Sequence, residues 1–425
     1  MCSSRVVSKW EKALAKLEDQ SEERTAEPVG TPDPVDAASV NIFSAEFAAC
    51  PQPTYANLRE KCPVSRSAIG GGPILAKHED VVWALRQPEI FSSKMDMQLA
   101  MGTERPMIPQ QIDPPEQTRY RRILDPRFSR KRMLEIEDDV RKSARDLMDQ
   151  FASDGSCDFG EAFAIPLPCT AFLHLMGLPQ EDLGLFLHLK DSIIRPQEQE
   201  QEGMAVQQIR ADAGRGIYEY FERAIDARAG QSKDDMLGFL MTAEIEGERL
   251  TREEILDISF LLLLAGLDTV TATLGCNITY LAENPEARRR LVENEGLIPG
   301  AIEELLRWET PVMVVPRVLT QDVTVSGVDL REGELVSLLL GSSNIDPSAF
   351  DDPELVDFER DRNIHVAFGA GPHRCLGSHL ARMELRVAME EWHRRIPDYE
   401  IQPGETPRFS PGIREARYLP LVWSV

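Results

Sequence analysis

The chain is short of positive charge. It has 47 Lys+Arg against 71 Asp+Glu, a formal net charge of −24. Neutralising phosphates supplies most non-specific nucleic-acid affinity, so this balance excludes a general polyanion binder. Long hydrophobic runs are lacking too. The longest apolar stretch, near Ile258–Leu267 and broken by Ser259, is roughly half of what a membrane-spanning helix needs. The first residues, MCSSRVVSKWEKALAKLEDQSEE, carry charges where a secretory signal needs an apolar segment, so no such signal and no membrane are expected. Cysteine is sparse. The seven residues Cys2, Cys50, Cys62, Cys157, Cys169, Cys276 and Cys375 are scattered, odd in number and without a C-x-x-C pair. That excludes a disulfide framework and points to a reducing, cytoplasmic setting. Internal repeats, low-complexity blocks and βαβ alternation are also lacking.

What is present is bulk. The 425 residues are 42% apolar, enough to bury a large core and to exclude disorder across the whole chain. Length alone allows two or three domains, or one large one. Residues 1–38 read as a flexible tail because Glu27–Pro34 (EPVGTPDP) is polar and rich in turn formers. Within the tail, Lys9–Leu17 has a short helical pattern. Residues 39–425 are expected to form one folded unit. Val64–Ile69 and Pro73–Ala76 flank three glycines and predict a hairpin. Met133–Phe151 repeats its apolar residues at helical spacing, and helical patterns then dominate to about Trp308. Short β-like runs follow, such as Asp322–Val325 and Leu335–Leu340, before a final helix over His379–Arg394. The fold class is mainly α with a minor β component.

Thr251-Arg-Glu-Glu254 is a capping-box pattern, and the next proline is Pro285. One helix from Arg252 to Glu283 would have 32 residues and span ~48 Å. Its centre reads Ala265-Gly266-Leu267-Asp268-Thr269. Gly266 costs ~1 kcal/mol against alanine. Asp268 puts a carboxylate in an apolar core, which is costly unless paired. Thr269 can bond back to a carbonyl one turn earlier and bend the helix. The segment suits either a kinked core helix or a groove beside a ligand, with a hydroxyl and an acid for proton delivery.

Phe368-Gly-Ala-Gly-Pro-His-Arg-Cys375-Leu-Gly377 places one cysteine among glycines just before a helix. Glycines let backbone N–H groups approach a ligand, and a helix N-terminus stabilises a thiolate. The sulfur could act as a nucleophile, although no base with an orienting acid is encoded nearby. It could join His373 and His379 on zinc, although no second thiol is close. It could also be the axial ligand of a haem, for which one thiolate is enough.

The pattern F-G-x-G-x-H-x-C-x-G resembles the haem-binding loop of the cytochrome P450 family, and the likeness extends from about Asn41 to the C-terminus. The resemblance implies the cytochrome P450 fold, with a long central helix over haem b, and Cys375 as the iron ligand. Phe368, Gly369 and Gly377 would shape the loop. Glu304-x-x-Arg307 resembles the family's E-x-x-R motif, with Arg360 as its third member. Gly266, Asp268 and Thr269 resemble the oxygen-binding groove. There Thr269 would hydrogen-bond dioxygen or the water that feeds it, and Asp268 would relay protons from solvent. Gln117, Arg121, Arg317 and His373 match positions that hold the haem propionates, and Gln117 stands where many bacterial members have histidine. Leu264–Val270, Asp113–Gln117 and Leu419–Trp423 are similar to the camphor-hydroxylase type of soluble bacterial member. No tyrosine lies between Phe91 and Ile112, however, where that type orients its ketone substrate.

The implied activity is a monooxygenase that inserts one atom of O2 into a small apolar, terpenoid or aromatic, substrate. Two rival readings are a peroxide-driven enzyme and a haem ligand sensor. The chain has no flavin or iron–sulfur motif, so electrons would come from a ferredoxin with its NAD(P)H-dependent reductase. Arg119, Arg121, Arg122, Arg127, Arg130, Lys131 and Arg132 face a single acid, Asp125, in that stretch, and suggest a docking patch for an acidic partner. Met95, Met97, Met101 and Met107 suit an adaptable apolar pocket. Leu183–Ile194 is expected to be a mobile lid, and the protein a monomer.

Overall fold

The structure is a computed structural model that describes residues 40–68, 71–95, 102–103, 105–196, 205–231 and 233–425. The expected tail, its helical stretch, Met97 and Met101 lie outside the described residues. Eight helices carry the argument: α1 (Glu116–Leu124), α2 (Glu137–Met148), α3 (Pro166–Met176), α4 (Leu183–Ile194), α5 (Val206–Ala227), α6 (Arg252–Glu283), α7 (Ile298–Glu309) and α8 (Ser378–Arg395).

The β component lies to one side. Strands β1 (Val64–Arg66), β2 (Pro73–Leu75), β3 (Phe91–Ser92), β4 (Val314–Leu319) and β5 (Leu335–Leu339) form a sheet of order β1-β2-β5-β4-β3. The expected hairpin is its edge, with Val64 opposite Leu75. Strand β5 runs parallel to β2 and antiparallel to β4. Near the C-terminus, Pro420–Val422 lies between Ser156–Asp158 and Glu400–Ile401.

Helix α6 is unbroken over 32 residues. Both halves of its capping box are made, the Thr251 hydroxyl accepting from the Glu254 N–H at 3.2 Å and the Glu254 carboxylate from the Thr251 N–H at 2.6 Å. By length and composition α6 could cross a membrane, yet 83% of its most apolar window is buried inside the protein, so it is a core helix. The main core gathers around it, with Trp392 of α8 wholly buried against Phe159 and Phe163 at centroid distances of 4.8 and 5.6 Å. Met133–Phe151 is divided, in contrast to the single periodic stretch expected. A short helix ends at Leu134, and α2 begins at Glu137 with Ile136 outside helical geometry. The acids Glu137, Asp138 and Asp139 favour a new N-terminus there, where the helix dipole is positive.

One turn of α7 joins the helical layer to the long segment before the cysteine loop. Glu304 and Arg307 have no exposed side-chain surface and pair at 2.8 Å. Arg360 meets the same carboxylate at 3.1 Å, as expected. Arg307 also donates to the carbonyls of Asn344, Pro353 and Leu355 at 3.1, 2.7 and 3.0 Å. Glu304 accepts further bonds from the Asp357 N–H and the Asn363 amide, both at 3.0 Å. Glu304→Ala strands a buried guanidinium, so it should cost ~3–5 kcal/mol. A lowered urea midpoint with poor haem retention is the expected result.

Candidate functional site

The cysteine loop folds as its glycines dictate. Gly369 and Gly371 take φ of +67° and +68°, a region that side chains with a Cβ rarely adopt. A Cβ on Gly371 would also lie 2.3 Å from the Leu85 carbonyl. The Cys375 N–H closes the loop on the Phe368 carbonyl at 2.8 Å. The Phe368 ring lies under the Arg382 guanidinium at 4.4 Å, and Glu303 of α7 holds that guanidinium through two bonds of 2.6 Å. His365 meets Glu303 at 3.1 Å. Burial pushes the Cys375 thiol up, against the pull of the Gly377 N–H and of Arg121, Arg374 and Arg382. An anionic sulfur here therefore needs a further positive partner, which suits metal ligation. A Cβ on Gly377 would meet no atom within 4 Å, so that side of the loop is open.

The expected propionate-binding residues divide into two groups. Gln117 and Arg121 spend donors on the loop itself. The Gln117 amide donates to the Pro372 carbonyl at 2.7 Å, and Arg121 to the Arg374 carbonyl at 2.9 Å and to Asp125 at 2.8 Å. Arg317 and His373 remain under-used. The buried Arg317 donates to the Pro316 carbonyl at 2.7 Å, and among the described residues no carboxylate comes within 4 Å of it. Burial pushes its pKa down to about 10, and Asp113 works against that shift. His373 Nε2 is buried without a hydrogen bond, 3.7 Å from Asp113. Asp113 is itself occupied by the Ser92 hydroxyl at 2.5 Å and the Ser93 N–H at 2.9 Å. Burial opposes its charge, but His373, Ser92 and Ser93 prevail and hold its carboxyl below the usual range. A buried guanidinium and an unpaired imidazole nitrogen beside the cysteine loop fit a ligand that brings its own carboxylates. The donor set thus fits haem.

The centre of α6 is unlike the rest of that helix. Ala265 is exposed, and Gly266 and Thr269 are partly accessible, in a segment otherwise buried. These three residues therefore border accessible space midway along a core helix. Gly266 has only Phe172 within 4 Å of a would-be Cβ. Thr269 donates to the Ala265 carbonyl at 3.0 Å, the back-bond expected, although the helix continues through it. Asp268 points the other way and is fully buried. Lys190 and Arg195 pair with it at 2.8 and 2.9 Å. Burial opposes its charge, and these two cations overcome burial and keep the carboxyl ionised.

Asp268 therefore makes no direct contact with solvent in this conformation. Helix α4, expected as a lid, is tied to α6 through Lys190. The sequence reading missed Lys190, Arg195, Glu415 and the carboxylate of Asp113. One signal was available for Lys190. It is a lone cation within the apolar run Leu183–Ile194, where a partner is required.

A thiol in a glycine-shaped loop, a buried guanidinium without an ion pair among the described residues, an imidazole nitrogen without a hydrogen bond and an acid–alcohol pair on a long core helix together define a haem-thiolate protein. Comparison with known proteins agrees. The family model described as cytochrome P450 matches residues 170–395. The steroid C26-monooxygenase of Mycobacterium tuberculosis strain H37Rv is 33% identical, over 86% of this chain and 90% of that protein. The methyl-branched lipid omega-hydroxylase of the same strain is 32% identical, over 93% and 97%. Among solved structures, CYP109E1 from Bacillus megaterium in complex with testosterone superposes with a TM-score of 0.81 at 30% identity, covering 90% of this chain and all of that one. The chain belongs to the cytochrome P450 family, whose members bind haem b and use dioxygen.

Glu303 supplies a pH test of the loop anchor. Burial opposes its charge, but Arg382 and His365 hold its carboxyl at about 2, below the unfolded value of 4.5. Its contribution is fully present above that unfolded value and is lost as pH falls toward the folded one. Allowing for partial solvent exposure, Glu303→Gln should cost about 2 kcal/mol at pH 7. The gap between the urea midpoints of variant and parent should close as the pH is lowered below roughly 4.

Proposed function

We propose that this chain is a dioxygen-using monooxygenase that inserts one oxygen atom into an apolar substrate, with electrons from a ferredoxin and its NAD(P)H-dependent reductase. The observation that carries the reading is the division of labour at the centre of α6. Thr269 lies on the accessible side, while Asp268 is buried behind it with two cations. An acid–alcohol pair is needed where dioxygen must be protonated, and a peroxide-driven enzyme has no use for it. When bound, haem supplies the reduction of dioxygen and the oxygen transfer, helped by the electron push of a thiolate ligand.

The chain's own residues do the rest. Cys375 provides the sulfur, on a loop shaped by Phe368, Gly369 and Gly377. Gln117 and Arg121 hold that loop through its carbonyls. Arg317 and the remaining N–H groups of Arg121 would neutralise the two propionates, with His373 Nε2 as a further hydrogen-bond partner. Gly266 leaves room beside the accessible space, Thr269 orients a hydroxyl toward it, and Asp268 stores the acid function. The half-buried Met95 and the buried Met107 belong to the loop expected to meet substrate. Names of relatives that refer to a steroid and a methyl-branched lipid support a terpenoid-like substrate, extended to steroid size. Residues 39–425 act as one catalytic unit, as a monomer in the cytoplasm.

The basic stretch supports ferredoxin docking, but with fewer free charges than the sequence suggested. Arg119, Arg121, Arg127 and Arg132 meet Glu246, Asp125, Asp234 and Glu135. Arg122, Arg130 and Lys131 are exposed and, among the described residues, have no ion pair. Charge reversal at Arg130 and Lys131 should slow reduction by an acidic ferredoxin about tenfold at low salt and flatten its salt dependence. Unchanged stopped-flow kinetics would remove the docking surface. Thiolate ligation is tested by the spectrum of the reduced, CO-bound protein. A strongly red-shifted Soret band is expected, and it should vanish in Cys375→Ala. Haem-loaded protein without that band would overturn the reading. Spin-state titration with testosterone and with a branched fatty acid then ranks the substrate classes.

A further inference from the structure

Asp268 is one half of a larger arrangement. Arg195 caps the C-terminal end of α4 and reaches across to two carboxylates at once. The same nitrogen, Nη2, donates to Asp268 Oδ2 at 2.9 Å and to Glu415 Oε2. Its other terminal nitrogen meets Asp191 at 2.9 Å. Lys190 bridges Asp268 at 2.8 Å and Asp191 at 3.0 Å. Arg417 approaches the far oxygen of Glu415 at 3.5 Å. Side-chain exposure is 0% for Asp268 and 1% for both Glu415 and Lys190. Three carboxylates (Asp191, Asp268, Glu415) thus face three cations (Lys190, Arg195, Arg417), and the cluster is neutral while Arg195 is in place.

Two oxygens that bond one nitrogen lie within about 6 Å of each other. Withdrawal of Arg195 leaves those carboxylates face to face, with one uncompensated negative charge in a dry interior. Like charges that close in low dielectric cannot both stay ionised. We propose that Asp268 and Glu415 form a proton-sharing carboxylate pair which Arg195 keeps ionised, and that displacing Arg195 loads the pair with one proton. The step balances. A solvent proton forms one O–H bond on a carboxylate oxygen, restoring neutrality. The proton held on Glu415 passes to Asp268, which breaks one O–H bond and forms another, and its release from Asp268 to the Thr269 side breaks the second and readmits Arg195.

Glu415 is the side on which the proton is held. Burial pushes its carboxyl up, whereas Arg195 and Lys190 hold Asp268 down against burial. Glu415 Oε1 also has no hydrogen bond, leaving an acceptor free. Glu415 touches neither substrate nor haem in this scheme, so it is a positioning residue that acts through Asp268. The delivery step rests on the monooxygenase reading; the pair itself does not.

The test is infrared spectroscopy of the haem-loaded protein at pH 7, with Arg195→Gln as the displaced state. Burial pushes the Glu384 carboxyl well up, so a protonated-carboxyl C=O band is common to all forms; an additional band that shifts in D2O is expected in Arg195→Gln, and not in the parent or in Arg195→Lys, which retains a cation. The additional band should vanish in Arg195→Gln/Glu415→Gln, where Asp268 keeps Lys190 and no longer faces the Glu415 carboxylate. No additional band in Arg195→Gln, or an additional band that survives in the double variant, overturns the pair. The single variant Glu415→Gln preserves the shape of the side chain and gives a second readout should Arg195→Gln not fold. Its solvent isotope effect on kcat and its peroxide released per electron pair should both rise about threefold with KM unchanged. Parental values for both would also overturn the proposal. An additional band without the red-shifted CO spectrum would remove the monooxygenase reading and leave the pair. The CO spectrum without the additional band would do the reverse.

Discussion

Glu304 and Arg307 sit one turn apart on α7 with no exposed side-chain surface, and the path of the chain into the Cys375 loop depends on them. A buried ion pair is weak evidence for net stability, because desolvation offsets attraction. Its value here is geometric. Arg307 collects three carbonyls and Glu304 collects Arg360, Asn363 and a backbone N–H, all from residues 344–363. That irregular stretch has no helix or sheet ladder to satisfy it, so its polar groups must find partners elsewhere. The neighbouring Glu303 points to another side of the helix and binds Arg382, which lies against Phe368. Two consecutive glutamates therefore fix the approach to the cysteine loop and the loop itself.

What could be read from residue order alone follows from the range of the interactions involved. The capping box of α6, the back-bond of Thr269 and the one-turn spacing of Glu304 and Arg307 are local, and each appears where the sequence implies. The glycines of the cysteine loop were legible for the same reason, since a positive φ is a property of single residues. The break at Ile136 was hidden, because apolar periodicity runs through it and only the three acids after it mark a new N-terminus. Arg360 was found through a family likeness, and its 56-residue separation from Glu304 gives no local signal. The roles of Gln117 and Arg121 were only half visible. Each donor was recognised, but its use on the carbonyls of Pro372 and Arg374 depends on how α1 lies against the loop.

The charges around Asp268 are the clearest case of what order does not disclose. Asp268 lies 78 residues from Lys190 and 73 from Arg195, and Glu415 lies 220 from Arg195. The physical requirement was legible: a carboxylate in the apolar heart of α6 must have a cation. The identity of that cation was not. Only one of the candidates, Lys190, looks out of place in its own segment, and Glu415 reads as an ordinary strand-end acid.

This arrangement also changes the meaning of α4. A helix whose inner face carries Phe186, Leu189 and Ile193 could slide or tilt at modest cost, because apolar contacts are interchangeable. Lys190 and Arg195 remove that freedom. Any displacement of the C-terminal end of α4 pulls a guanidinium away from two buried carboxylates, and the interior cannot leave their charge uncompensated. Movement of this helix and the protonation of Asp268 are then a single equilibrium. A ligand that biases the position of α4 also biases the acid beside Thr269, through electrostatics and without any contact to either residue.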